Sequence, residues 1–140
     1  MRKRIFIILL ITLCIPLAVM AQNRYAEEKE VLEDMISSMV DFMDALDNYQ
    51  NDENIDKIVD AVVTLVEDFK EMVPKVEEIE DAHPDWGDNP PPEMKATMER
   101  FMAVGPRFAN SMNSLTSIIE EHSDNDELID ALMQLGEIMD

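Results

Sequence analysis

Val31-Leu32-Glu33-Asp34-Met35-Ile36-Ser37-Ser38-Met39-Val40-Asp41-Phe42-Met43 is the stretch that decides the fold. Its apolar residues recur every three and four positions, the period of a helix that buries one side. Acidic and hydroxyl residues occupy the positions between them. The pattern extends outward over residues 24–50 and adds Leu46 and Tyr49 to the stripe. Glu27, Glu28 and Glu30 fall in the early turns, where carboxylates suit the positive end of the helix dipole.

Three more stripes follow. Asp52 is placed to cap a second helix, whose stripe is Ile55, Val59, Val62, Val66, Phe69, Val73 and Val76. Pro74 removes a backbone donor and disfavours helix at Val73, so a break or kink is expected there, with a short piece to about residue 81. Residues 82–92, Ala-His-Pro-Asp-Trp-Gly-Asp-Asn-Pro-Pro-Pro, predict the one long loop. A third helix opens near Glu93, with Pro92 suited to its first turn. Its stripe is Met94, Met98, Phe101, Met102, Gly105, Phe108, Met112, Leu115 and Ile119, and Gly105-Pro106 predicts a bend at its middle. Ser123 with Asp126 resembles a capping box before a short fourth helix carrying Leu128, Leu132, Leu135 and Met139. Four amphipathic helices, none able to stand alone, predict an all-α, antiparallel up-down-up-down four-helix bundle, a single domain over residues 22–140.

Composition bounds the function. Apolar residues make up 46 % of the 140, enough for one core and too many for a solvated tail. Acidic residues number 31 against 11 basic, a net charge of −20. Nucleic acid and anionic membrane surfaces would repel such a chain, whereas a basic protein partner would be steered to it.

Residues 1–21 read as an address. Arg2, Lys3 and Arg4 precede an apolar run over residues 5–20, and small Ala18 and Ala21 precede the polar stretch that opens at Gln22. This is the pattern of a cleaved signal peptide, and the run, broken by Pro16, is shorter than the roughly 20 residues a spanning helix needs. The expectation is export to the periplasm, or secretion, with no membrane anchor after cleavage. Cys14 lies inside the leader, and Leu13 before it is not the small residue that lipid attachment requires. The mature chain then has no cysteine, no disulfide, eight basic residues against 31 acidic and a net charge of −23.

Three short motifs carry a resemblance. Leu32-Glu33-Asp34-Met35 stands near the start of the first helix, Pro74-Lys75-Val76-Glu77 at the expected break, and Pro92-Glu93-Met94-Lys95 at the opening of the third helix. In order and spacing they resemble the soluble periplasmic b-type cytochromes, the cytochrome b562 family. That resemblance covers most of the mature chain and implies a secreted bundle with one non-covalent haem, held by a Met early in the first helix and a His late in the last. Met35 stands at the Met position. Residues 126–140 contain no His, so one axial ligand of the family's pattern is missing. The expectation is therefore a haem-free relative, a small exported binding or accessory protein. The alternative is a haem b electron carrier with altered ligation, Met35 opposite His83 or Met139, residues that share one end in an antiparallel bundle.

A third class uses the methionines. Met35, Met39 and Met43 form one row, and Met94, Met98 and Met102 another. Thioethers are soft ligands for copper(I) and also line adaptable grooves for clients, so the third class is a copper-handling or chaperone-like bundle; core packing is the plainer reading of the rows. Glu80 and His83 form a single E-x-x-H; di-iron bundles need two, with further inward Glu. His122 stands at the far end of the bundle from His83, beside Glu120 and Glu121, which excludes a two-His metal site. No nucleophile–base arrangement or phosphate loop is present, so no enzymatic activity is expected. Trp86 is expected to cap the open end of the bundle. The oligomeric state expected is a monomer or a weak homodimer.

Overall fold

The computed structural model describes residues 24–49 and 54–139. The expected leader and Asp52 lie outside them. Among the described residues there are four helices and no strand: α1 (Ala26–Asp47), α2 (Ile55–Ala82), α3 (Lys95–Glu121) and α4 (Asp126–Met139). None is long and apolar enough to cross a membrane. The all-helical fold with four amphipathic elements agrees with the bundle expected from the stripes.

α1 is the central element, packed on both α2 and α3, while α4 packs on α2. Side-chain pairs give the register. Ser38 Oγ donates to Asp68 at 2.5 Å, and Glu28 lies 3.8 Å from His83, so numbers rise along α1 as they fall along α2. Against α3 the numbers rise together, from Glu33–Thr97 to Tyr49–His122. The main core fills the space between all four helices. Phe108 of α3 is its hub, with ring centroids 5.6 Å from Phe42 and 5.8 Å from Phe69, tilted as aromatic quadrupoles prefer.

The break expected at Pro74 is corrected. α2 continues without a break from Ile55 through Pro74 to Ala82, and α3 continues through Pro106. Each proline is exposed and stands between buried residues, Met72 and Val76 in one helix, Val104 and Phe108 in the other. Burial of those flanking side chains holds the helix where a lone proline would end it. The cap of α4 is also corrected. Asn125 Oδ1, not Ser123, accepts from the Leu128 N–H at 3.0 Å. Asn125 directly precedes the helix, so its side chain reaches the third free donor; Ser123 is two residues too early. α3 begins at Lys95 rather than near Glu93, because the Met94 N–H closes a turn onto the Pro91 carbonyl at 2.9 Å.

Candidate functional site

The helices differ in length, and that difference makes the site. α2 and α3 have 28 and 27 residues, α4 only 14. α4 starts beside His122, whose Nε2 lies 3.0 Å from the Tyr49 hydroxyl at the end of α1. It runs from there to Gln134, which accepts from Lys70 Nζ at 2.6 Å. Five more residues add about 7.5 Å and bring Met139 level with about Lys75 of α2. Among the described residues, no fourth helix lies beside the last turns of α2 and the first turns of α3 beyond that level.

Loop residues 83–94 close that end instead. Trp86 is only 8 % exposed and packs with Leu32 of α1, Val76 of α2 and Met94 in a second, smaller cluster. It therefore caps the bundle, as its place in the loop suggests. Its ring stacks on His83 at 4.0 Å and 5°, and Tyr25 meets both rings edge-on, at 5.0 and 5.8 Å. Turn hydrogen bonds hold the loop: the Trp86 N–H donates to the His83 carbonyl at 3.1 Å, and the Asn89 N–H to the Asp85 carbonyl at 2.7 Å.

The cap leaves a cleft of ≈ 340 Å³ between α2, α3 and the loop. Val76, Ile79, Met98, Phe101 and Trp86 make its walls, and Leu32 its floor. Glu80 and His83 are its only ionisable lining groups. A cavity of this size, mostly apolar with few polar groups, has the character of a small binding site. On the other side of His83 a more polar groove of ≈ 290 Å³ is edged by Glu27, Glu28, Glu78 and Lys75. Lys75 also donates to Glu71 at 2.8 Å. That hydrogen bond, then the lysine's charge, holds the Glu71 carboxyl below its usual range, and the same bond raises the ammonium of Lys75.

The three sequence candidates are placed as follows. His83 lines the apolar cleft, the polar groove and a surface pocket against Pro90, Pro91 and Pro92. Met35 is half-buried where the main core and the small cluster meet, and lines none of these three. Met139 is 55 % exposed in the last turn of α4 and lines none of them either. The shortness of α4 is the reason: it ends level with Lys75, about two turns before His83. The donor set does not present two axial ligands to one slot, since neither Met35 nor Met139 lines a pocket that His83 lines. No step through haem follows from this arrangement. Among the described residues no group of three or more His, Cys, Asp or Glu is placed to hold a metal ion.

The methionine rows also divide. Met39 and Met43 are core, and Met94 is fully buried, but Met102 is 57 % exposed. Each step of four residues advances about 40° around a helix, so a third member drifts off the face of the first. His122 and His83 stand at opposite ends of α1, whose 22 residues span about 33 Å. One polar pair escaped the stripes. Thr97, 1 % exposed, donates to Glu33 Oε1 at 2.8 Å, and Arg100 pairs with the other oxygen of the same carboxylate. Comparison with protein-family models, with curated proteins and with solved structures finds no match.

Proposed function

We propose that this chain is a small exported helical bundle, free of haem and not an enzyme, that works as a periplasmic binding or accessory protein. Kinship with the cytochrome b562 family, and its up-down-up-down course, belong to this proposal; the three motifs and the Ser38–Asp68 register support it, with α1 and α2 antiparallel and α1 and α3 running in the same direction. The observation that carries the reading is the apolar cleft at the Trp86 end. A fold that needed only to be stable would gain from filling that space, since unfilled apolar walls forgo dispersion contacts. The haem-free part rests on the absence of a His from residues 126–140 and on the separation of His83 from Met35 and Met139, which line none of its pockets. Export rests on the basic-apolar-small pattern of residues 1–21.

A haem titration followed by visible absorption in both redox states tests the cofactor reading. Spectra that remain the sum of free haem and protein are expected. A saturable one-to-one complex with sharp low-spin bands would overturn the haem-free reading and make Met35, His83 and Met139 the residues to replace. N-terminal sequencing of the protein recovered from the periplasm should begin at Gln22; recovery only from the cytoplasm with residues 1–21 attached would overturn export.

A further inference from the structure

Among the described residues the apolar cleft lies between the last turns of α2 and the first turns of α3. α4 lies along α2 as far as the level of Lys75. The α2 residues that line the cleft are Val76, Ile79, Glu80 and His83, which begin where α4 leaves off. On α3 the facing residues are Met98 and Phe101, with Gly105 one turn further on, where a Cβ would meet nothing within 4 Å. The space between α2 and α3 therefore continues the line of α4 for the remaining turns of α2, about 11 Å or two turns. Side chains at i, i+3 or i+4, and i+7 of one helix face would fill such a space.

The surroundings select the charge of the occupant. Glu80 stands at the wall of the cleft, Glu77 and Asp81 are its exposed neighbours on α2, and Asp85 and Asp88 flank Trp86 on the loop. Lysine and arginine are absent from the cleft lining. A helix with a basic outer face would be drawn to this end and an acidic one repelled.

We propose that this cleft docks a basic amphipathic helix of a partner protein, seated in line with α4 between α2 and α3. The proposal rests on the binding-protein reading above and names its ligand class. A partner helix of this kind places two or three aliphatic anchors against Val76, Ile79, Met98 and Phe101, and its lysines or arginines beside Glu80 and the loop carboxylates.

Trp86 is the only tryptophan of the chain and lines the cleft, so its fluorescence reports occupancy directly. The probe is a tryptophan-free 14-residue peptide of leucine and lysine with its leucines on one helical face. A saturable one-to-one shift of Trp86 emission is expected, weakening as salt rises. The same peptide with glutamate in place of lysine should give none. Glu80→Lys, an exposed substitution, and Met98→Glu should each weaken binding about tenfold or more. Met133→Glu, on the exposed side of α4, should leave it unchanged. Helical circular dichroism checks each variant, and Glu80→Lys decides the matter alone if Met98→Glu does not fold. The proposal is overturned if the glutamate peptide binds equally, or if both cleft variants bind like the parent. It is equally overturned if dodecylammonium shifts Trp86 while the peptide does not, or if a second copy of the chain fills the seat, seen as a stable dimer in light scattering. Haem binding is read separately at visible wavelengths, so loss of the cofactor reading and loss of the helix seat give different results.

Discussion

The two ends of this bundle are closed by different means. At the Tyr49–His122 end, α4 lays Leu128, Ala131 and Leu135 against the main core. At the Trp86 end the same role falls to a proline-rich loop carrying one aromatic side chain, and the cleft remains beside it. A helix satisfies its own backbone while it buries a continuous stripe, whereas a loop must spend its hydrogen bonds on turns and buries what single side chains can reach. The same chain thus has a structural end and an end with room for a ligand.

The largest effect should come from the structural end. Phe42→Ala removes a ring buried against Phe108 and should cost about 3–5 kcal/mol, read as a lowered midpoint in urea. Trp86→Ala should cost less, about 1–2 kcal/mol, and leave helicity intact while amides of residues 83–94 exchange faster. Equal losses for the two variants would erase the distinction between the ends. Thr97→Val removes the buried donor to Glu33 that ties α3 to α1 and should cost about 1 kcal/mol. Asn125→Ala should cost a similar amount, since it frees the Leu128 N–H and frays the start of α4.

The smallest effect belongs to the exposed Glu71–Lys75 pair, which water and salt screen. Its sign with pH is nonetheless defined. Glu71 is held below its usual range, so its contribution is present above that range and disappears as pH falls through the lowered value. Lys75 is raised, so its contribution is present at neutral pH and disappears as pH climbs through the raised value. Lys75→Met should flatten both slopes with little change at pH 7; a large loss there would mean that Lys75 does more than pair with Glu71.

Much of this contrast was legible in the sequence. The stripe from Val31 to Met43 and the proline cluster of residues 90–92 already separate helix from loop, because both signals are local. Trp86 stood out as the one large aromatic in the loop. What periodicity missed was non-local. The α2 stripe omits Ile58, Leu65 and Met72, all buried, because α2 packs on α1 and α4 at once and buries a wider face. Pro74 read as an interruption because its penalty is local, while the packing that overrides it belongs to the whole bundle. Thr97 and Glu33 read as ordinary polar positions, since nothing in their spacing tells that they meet across two helices. How near Met139 comes to Met35 and His83 was not legible for the same kind of reason: how far α4 reaches along α2 depends on its register, which the Lys70–Gln134 contact supplies.

Residue-resolved amide hydrogen exchange of the free protein tests the difference between the ends most directly. The account predicts slow exchange, limited by global unfolding, for Leu115, Ile118 and Leu128, and markedly faster exchange by local opening for residues 83–94 and the last turn of α2. Uniform protection along the whole bundle, with the loop as slow as α4, would contradict it.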